Sequence, residues 1–506
     1  MSSTTWVGGD SGNETDWATG ANWSTGSIPT TSAHVVIANT GHNCVLDTTR
    51  TIGSLTIQSG ATIVGGGLKL IIQSEGDASG GTEHYALKND GIVSGNLDID
   101  FTYAGETAAD FNGSSGTFQH VRVNAASADV NQDGPATLAS LVVVANSTFD
   151  TGNNTLTVEE GNISVSGTLL LNNGTVVISD TDSALSISNT GTVTCSNTNL
   201  TVNAVSLGQG TFTAPSASGS FIITGEKDGL AFDYDGNGYV HNSGTIQIKT
   251  AASTFVDFTP NDAAHVDINN VTIDHASCVA KWTHACTIAG DLLIKQGTME
   301  ADDGDEAFTV QGNVTVGDGS GSANTAVLGN AADTAAMTFG SLTIASDGKY
   351  IATSGTTKLT NNTASGTRSF YNNGGTFTHN NGTIHIDTSA NTNYDFDGDD
   401  LYNFTVECED GGGAVNCDGE ASTAVTVLNN LDIKMGILRT NANSFTIHGN
   451  VFVRETSLTN KNKFVAQGAN QTVKGLITVE DGAFFDMQNQ GSGSFGTLTT
   501  GGIRVL

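Results

Sequence analysis

The chain is poor in proline, cysteine and long apolar runs. Of its 506 residues only 4 are proline and 6 are cysteine, whereas 63 are glycine. So few cysteines in so long a chain cannot form a disulfide framework, and stability must come from backbone hydrogen bonds and an apolar core. No stretch reaches the roughly 20 consecutive apolar residues that cross a bilayer as a helix. The sequence therefore predicts no membrane insertion.

Basic residues are also scarce. The chain has 18 Lys and Arg against 51 Asp and Glu, which gives a formal net charge of −33. A surface of this kind cannot neutralise a run of phosphates, so nucleic acid and anionic lipid are disfavoured as partners. Cations, neutral glycans and other proteins remain, and so does the alternative that the acidity serves solubility alone.

Helical periodicity is missing as well. Segments such as 51–64, 154–179 and 339–360 instead alternate β-branched and polar residues, with Gly, Asn and Asp between the runs. This pattern predicts short β-strands separated by tight turns. Residues 331–339, rich in alanine, are the one segment that could hold two helical turns. We therefore expect an all-β protein.

Internal repetition decides between all-β architectures. Residues 241–258 match residues 379–396 at a constant offset of 138, with eleven of eighteen positions identical. The register continues through 308–316 and 445–453, and 156–165 belongs to an earlier, more diverged copy. Strands that return this often without helical crossovers favour a solenoid. We predict a right-handed parallel β-helix with about three internal copies of roughly 138 residues. The alternative is a row of three antiparallel β-sandwiches.

The repeats set the predicted domain boundaries. Residues 1–40 form an N-terminal cap or anchor, and 41–225 hold the lead-in rungs and the first copy. The second copy covers 226–365 and the third covers 366–506. Each copy would contain about six coils of 20 to 25 residues, a range typical of repeat units.

The first 35 residues differ in composition from the rest. They contain Trp6, Trp17 and Trp23, three of the four tryptophans of the chain, together with Pro29. An open solenoid end would expose core and unpaired strand edges, so an apolar plug is expected there. We predict that these four residues belong to a cap.

This segment also carries a resemblance to a class of proteins. The residues concerned are Trp6, Gly8, Gly9, Asp16, Trp17, Asn22, Trp23 and Pro29, placed before the segment "HVVI". The pattern is similar to the start of β-helical surface proteins, both bacterial adhesins and structural proteins of phages, notably marine ones. The phage resemblance implies a spike, fibre or decoration protein on the virion surface, made in the host cytoplasm without a signal peptide. The adhesin resemblance implies an extracellular or cell-surface location, and adhesins normally carry an export signal. The start "MSSTTWVGGDSG" has neither the basic residues nor the apolar core of such a signal.

One motif suggests a cation site. Asp233, Asp235 and Asn237, followed by Gly238, resemble the opening of a calcium loop. The twelfth position, where such a loop has a bidentate Glu, is Gly244. Calcium is thus the candidate cofactor, and the alternative is that these acids are ordinary turn residues. Residues 300–306 and 395–401 are weaker acidic candidates.

A second cluster combines histidine and cysteine. His275, Cys278, His284 and Cys286 could bind zinc in principle, but their spacing matches no familiar zinc module. Alternation along a strand would also send several of these side chains to opposite faces. Buried thiols and turn histidines are the favoured interpretation.

No catalytic motif stands out, so the sequence favours a non-catalytic structural or adhesive rod over an enzyme. The alternative is a glycan-cleaving tailspike, which needs a groove lined by non-repeated acids and aromatics such as Trp282, Tyr234 and Tyr239. The predicted partners are other virion or surface-assembly proteins, cell-surface glycans and further copies of the chain. A homotrimer is the expected assembly.

Overall fold

The computed structural model describes residues 2–74, 85–103, 109–113, 117–124, 129–188, 190–235, 238–257, 268–408, 416–420, 424–441, 443–455, 462–467, 469–488 and 496–506. These residues form two compact units. Unit 1 contains the described residues up to 246, and unit 2 contains those from 247 onward. The fold is all-β with about 1% helix, arranged as stacked parallel coils of about 17 turns in total.

The strands up to residue 240 come first in chain order, together with the 3₁₀ helix Gly20–Asn22. They are β1 Ser3–Trp6, β2 His34–Ile37, β3 Cys44–Val45, β4 Arg50–Ile52, β5 Ser54–Ile57, β6 Thr62–Val64, β7 Lys69–Ile72, β8 Tyr85–Asn89, β9 Ile92–Ser94, β10 Asp98–Phe101, β11 Ala109–Asn112, β12 Thr117–Val123, β13 Asp129–Gln132, β14 Ala136–Val143, β15 Thr148–Asp150, β16 Thr155–Val158, β17 Ile163–Val165, β18 Thr168–Asn172, β19 Thr175–Ile178, β20 Ala184–Ile187, β21 Thr192–Cys195, β22 Asn199–Val202, β23 Ala204–Leu207, β24 Thr211–Thr213, β25 Ser220–Ile223, β26 Leu230–Tyr234 and β27 Tyr239–Val240.

The later strands continue the same pattern of short segments. They are β28 Thr245–Ile248, β29 Ser253–Val256, β30 Asn270–Trp282, β31 Cys286–Ile288, β32 Leu292–Ala301, β33 Phe308–Val316, β34 Ala326–Leu328, β35 Met337–Ile344, β36 Gly348–Ile351, β37 Thr356–Leu359, β38 Arg368–Asn372, β39 Thr376–Thr378, β40 Thr383–Ile386, β41 Thr392–Asp395, β42 Asp400–Leu401, β43 Asn403–Glu407, β44 Asn416–Gly419, β45 Val425–Val427, β46 Leu431–Met435, β47 Ile437–Arg439, β48 Phe445–Ile447, β49 Val451–Val453, β50 Lys463–Gln467, β51 Gln471–Val479, β52 Phe484–Gln488 and β53 Leu498–Val505.

Each regular coil contributes three strands, and each strand pairs with its counterpart one coil later. In unit 1, β18, β19 and β20 pair in parallel with β21, β22 and β23, respectively. In unit 2, β44, β45 and β46 pair in the same way with β47, β48 and β49. This parallel pairing confirms the β-helix and shows that the antiparallel sandwich alternative is wrong. The segment 331–339 is not helical, because strand β35 begins within it.

The core follows from the alternation of apolar and polar residues. In β20, Leu185 and Ile187 are buried, whereas Ser186 between them is partly exposed. Parallel register stacks Leu185 beside Val205 of the next coil, and Val205 beside Phe232 of the one after. Apolar side chains of these strands therefore line up inside unit 1, and the residues between them, such as Ser186 and Ser206, line up outside.

One turn recurs with the same geometry in both units. In 241–244, the amide of Gly244 donates to the carbonyl of His241 at 2.9 Å, and the two central residues have φ values of 47° and 59°. In 379–382, the amide of Gly382 donates to the carbonyl of His379 at 2.9 Å, and the central φ values are 44° and 59°. Two successive positive φ values favour Asn and Gly, as in type I′ turns. The number of copies and their boundaries stay predictions.

Candidate functional site

A ladder of hydroxyl groups runs along the outer face of three consecutive coils in unit 1. Ser164 of β17 pairs with Ser186 of β20, and Ser186 pairs with Ser206 of β23. The next position in this column is Asp233 of β26. Because the flanking residues point into the core, all four side chains point outward. Adjacent strands place the hydroxyls about 4.8 Å apart.

Small side chains beside this ladder leave an open groove. A second column contains Ser166 and Ser188, whose hydroxyls share a hydrogen bond of 2.7 Å, and it ends at Gly208. The space between the two columns has a volume of about 370 Å³. This volume falls within the range of about 300–1,000 Å³ that ligand clefts occupy. Hydroxyl groups both donate and accept hydrogen bonds, so the groove suits a polar ligand.

A short hairpin lies beside the ladder and lines a second, smaller cavity. The backbones of Lys227 and Leu230 exchange two hydrogen bonds, and the turn between them contains Asp228 and Gly229, both with positive φ. The Lys227 ammonium donates to Asn162 Oδ1 at 3.2 Å, so this side chain lies across the outer face. A smaller cavity of about 120 Å³, lined in part by Lys227 and Asp233, lies beside the hairpin.

Asp233 is partly buried at this end of the groove. The hydroxyl of Ser206 donates to Asp233 Oδ2 at 3.2 Å. Burial, and then the nearby Asp235 carboxylate, raise the pKa of Asp233. The structure therefore places Asp233 in strand β26, at the end of the ladder and in the wall of the smaller cavity.

The calcium prediction remains open. Asp235 follows β26 and is exposed, and its amide donates to the carbonyl of Leu207 at 2.9 Å. Asn237 lies outside the described residues. Within the described residues, no group of three or more His, Cys, Asp or Glu side chains is arranged to hold a metal ion. The assignment of Asp233, Asp235 and Asn237 to a cation thus stays a prediction.

The aromatic residues considered for a glycan-cleaving groove lie in the core. Trp282, Tyr234 and Tyr239 are 0%, 1% and 4% exposed. Trp282 stacks on Phe308 with a centroid distance of 4.5 Å, and Tyr234 packs against Tyr239 at 6.0 Å. None of the three presents a ring to an outer groove.

The His and Cys cluster separates as strand alternation predicts. Cys278 and Cys286 are buried, and burial raises the pKa of the Cys278 thiol to about 12. His284 is exposed and His275 is partly exposed, and His275 Nδ1 accepts a hydrogen bond from the amide of Ser277 at 3.2 Å. The two thiols are thus buried as predicted, and His284 lies in the bend after β30, whereas His275 lies within β30 itself.

The three N-terminal tryptophans form one buried cluster. Trp6, Trp17 and Trp23 are 0%, 0% and 2% exposed. Trp23 packs edge-on against both other rings, at centroid distances of 5.0 Å to Trp6 and 4.7 Å to Trp17. Its indole N–H donates to the carbonyl of Trp17 at 2.9 Å. Pro29 is partly exposed and lies outside the buried cluster.

The same segment pairs with the edge of strand β1. On one side β1 pairs in parallel with β2. On the other side, the amide of Ser24 donates to the carbonyl of Thr5 at 2.8 Å, and the amide of Val7 donates to the carbonyl of Asn22 at 2.8 Å. Asn22 is fully buried, and its side chain bonds to the backbone of Asp10, Asn13 and Asp16. Residues 22–24 therefore satisfy backbone groups that an edge strand would leave open.

A charged network lies on the outer face of unit 2. His385 Nε2 is 3.1 Å from Glu407 Oε2, although the two are not aligned for a hydrogen bond. Lys434 Nζ is 3.4 Å from the same carboxylate oxygen, and Lys358 Nζ is 2.5 Å from Asp387 Oδ2. Burial and the Lys434 charge lower the pKa of His385. Sequence inspection missed this group because its members are separated by a coil or more along the chain.

A second group of carboxylates in unit 2 includes a buried acid. Asp333 is 1% exposed, and its Oδ2 accepts a hydrogen bond from the amide of Asn330 at 2.9 Å. Burial is the main factor that raises the pKa of Asp333 to about 6, and the nearby Glu300 and Glu306 raise it further. The acidic segment 300–306 thus lies close to an acid whose pKa is raised.

This arrangement predicts a pH dependence of stability. The pKa of the Asp333 carboxyl group is about 6 in the folded chain, against an ordinary value of 3.8. The folded chain therefore binds a proton at Asp333 more tightly than the unfolded chain does. Its contribution to stability is therefore present at low pH and is lost as the pH rises from 3.8 to about 6. At pH values above this window, we expect Asp333→Asn to melt at a higher temperature than the unmodified chain. Within the window, we expect the melting temperature of the variant to depend less on pH. Melting curves across the window, with Asp303→Asn as an exposed control, measure this effect. An unchanged pH profile in Asp333→Asn would contradict it.

Comparisons with known proteins identify no relative. No protein-family model, no curated protein and no solved structure matches the chain. The described part of the chain contains no helix of the length and hydropathy needed to cross a bilayer.

Proposed function

We propose that this chain is a non-catalytic structural and adhesive β-solenoid exposed on a surface assembly. The observation that carries this proposal is the hydroxyl-lined groove of unit 1, built on stacked parallel strands. The N-terminal tryptophan pattern suggests a phage virion as the assembly, with a bacterial cell surface as the alternative.

The groove favours a neutral glycan as the adhesive ligand. Its ladder hydroxyls and the Asp233 carboxylate offer donors and acceptors at the spacing of the strands. Its side chains are small, so a sugar ring can approach the backbone closely. A net charge of −33 disfavours polyanionic glycans, because like charges repel.

The N-terminal segment is the proposed cap and anchor. Its buried tryptophans and its pairing with β1 support a role in closing the first coil, and its exposed side is available to a neighbouring protein of the assembly. The homotrimer stays a prediction.

A bulky side chain in the ladder tests the adhesive role. We expect Ser186→Trp to fill the groove and to weaken glycan binding by about tenfold or more, since the lost hydrogen bonds and space are central to the site. Thr194→Trp is the matched control, because Thr194 is an outward residue of β21 on another face of unit 1. Binding of both variants and the unmodified chain to a glycan array measures the difference.

The same samples separate adhesion from cleavage. Binding of the unmodified chain without release of new reducing ends supports the proposal. Release of reducing ends by the purified chain would instead support the glycan-cleaving alternative. Binding to no glycan, or equal binding by Ser186→Trp and Thr194→Trp, would contradict an adhesive role for this groove.

A further inference from the structure

We propose that a polar cavity in unit 2 binds a single neutral sugar residue. The cavity has a volume of about 320 Å³ and is lined by Asp274, Lys295, Gln296, Asp318, Ser320 and Thr325, among others. This volume lies at the lower end of the range of about 300–1,000 Å³ found for ligand sites. The inference goes beyond the adhesive groove, because it concerns different residues in a different unit.

An irregularity in the strand register creates one wall of this cavity. Strands β30 and β32 pair regularly through Ile273, but the register shifts on both sides of the Asp274–Gln296 pair. Gly297 follows with a φ of 91°, and a Cβ there would lie 2.5 Å from the carbonyl oxygen of His275. Bulges of this kind redirect side chains away from the regular ladder. Asp274 and Gln296 are thus turned toward the cavity by local backbone geometry.

Hydrogen bonds hold these two side chains in place. Gln296 Nε2 donates to Asp274 Oδ1 at 3.2 Å. Lys249 Nζ lies 3.2 Å from Asp274 Oδ2, so the charge of this carboxylate is balanced. Among the residues that the structure describes, no hydrogen bond engages the second N–H of the Gln296 amide or its carbonyl oxygen, so both can bind a ligand.

The opposite wall is a glycine-rich loop anchored by a buried acid. Asp347 is 0% exposed, and its two oxygens accept hydrogen bonds from the amides of Gly319 and Gly321, at 2.8 and 2.9 Å. Asp318, in the same loop, accepts hydrogen bonds from Ser320, which lower the pKa of Asp318. The loop therefore presents an ionised carboxylate from a backbone that is already ordered.

Two polar groups of the cavity are available to a ligand. The hydroxyl of Thr325 is buried and makes no hydrogen bond within the described residues. The positive charge of Lys295 helps to lower the pKa of Asp318, but Lys295 forms no ion pair at contact distance within the described residues. A buried hydroxyl without a partner is destabilising, and a ligand hydroxyl would satisfy it. Both groups are donors, so they suit the oxygen atoms of a sugar.

The mixture of charges favours a neutral ligand. Two ammonium groups, Lys249 and Lys295, accompany the carboxylates of Asp274 and Asp318, and the third carboxylate, Asp347, is already bound by the amides of Gly319 and Gly321. A divalent cation would be repelled by the ammonium groups and needs about six to eight oxygen ligands. A neutral molecule dense in hydroxyls matches the mixture of donors and acceptors. A pyranose meets this description.

Saturation-transfer NMR with free monosaccharides tests the proposal. The probes are glucose, galactose, mannose and N-acetylglucosamine at millimolar concentration. In the unmodified chain, we expect saturation transfer from the protein to at least one of these sugars. In Gln296→Leu, we expect the affinity for that sugar to fall by about tenfold, because an apolar group of similar size replaces a neutral hydrogen-bonding group. Gln311→Leu is the matched control, because Gln311 is exposed on β33 of the same unit.

The outcomes distinguish this site from the groove in unit 1. Loss of transfer in Gln296→Leu, with transfer kept in Gln311→Leu and in Ser186→Trp, supports the proposal. Transfer to none of the four sugars would overturn it. So would transfer that persists in both Gln296→Leu and Thr325→Val, provided that circular dichroism shows both variants folded.

Discussion

Trp23→Ala is expected to lower the free energy of unfolding of the N-terminal segment by about 3–5 kcal/mol, as large-to-small changes in a core do. The Trp23 ring contacts both other tryptophans of the cluster, and its indole N–H donates to the carbonyl of Trp17. The residues on either side pair with the edge of β1. Loss of this side chain should therefore release residues 22–24 from β1 and expose the first coil.

Limited proteolysis followed by mass spectrometry measures this release. We expect new cleavage sites before β2 in Trp23→Ala and end-to-end association of the cleaved chain, because an open strand edge pairs readily. Ile28→Ala is the control, since Ile28 lies in the same segment but is 36% exposed. Equal resistance of the two variants to protease would show that the tryptophan cluster does not hold the segment in place.

Gly167→Ala is expected to destabilise the coils around it by about 1–3 kcal/mol or more, the range of overpacking in a tightly packed site. A Cβ at this position would lie 2.2 Å from the carbonyl oxygen of Val144 and 2.3 Å from that of Ser147. Both atoms belong to the backbone of the preceding coil, which carries parallel pairing and cannot move without breaking it. The substitution should thus separate the two coils locally.

Gly161→Ala is the matched control for this prediction. A Cβ at Gly161 would lie 3.2 Å from Ser140 Cβ, a tight contact with a side-chain atom but not a collision with backbone. Hydrogen exchange of 143–172 measures the difference, because a solenoid opens locally, coil by coil. Similar protection of these amides in both variants would contradict the predicted collision.

The β-helix could be predicted from sequence because its signal is local and repeated. Leu185, Ser186 and Ile187 show the inside–outside alternation within three residues. The turn sequence at 241–244 recurs, with one substitution, at 379–382. The composition of the first 35 residues predicts a cap of Trp6, Trp17, Trp23 and Pro29, and this cap stays a prediction, although the three tryptophans pack together and Pro29 lies outside their cluster. Local patterns of this kind need no knowledge of which coil lies beside which.

The groove could not be read in the same way. Its serines occur in three separate segments, "ISVS", "LSIS" and "VSLG", at 163–166, 185–188 and 205–208. Aligning these segments would have revealed the ladder, but the alignment depends on the length of each coil. Asp233 was singled out for a calcium loop, whereas the structure places it beside Ser206. The polar cavity of unit 2 is even harder to predict from sequence, because Asp347 and Asp318 come close only when the loop between them folds.

The sequence by itself determined that this protein is all-β, acidic and coiled, because alternation, turn residues and charge are properties of neighbouring residues. Only the tertiary structure decided which outward side chains share a face. Coil lengths vary, as shown by Thr168, Thr192 and Thr211, which occupy one column at spacings of 24 and 19 residues. A difference of one residue turns a side chain from solvent to core, since the period of a strand is about 2 residues. The groove and the cavity therefore arise from the register between coils, which backbone hydrogen bonds establish only in the folded chain.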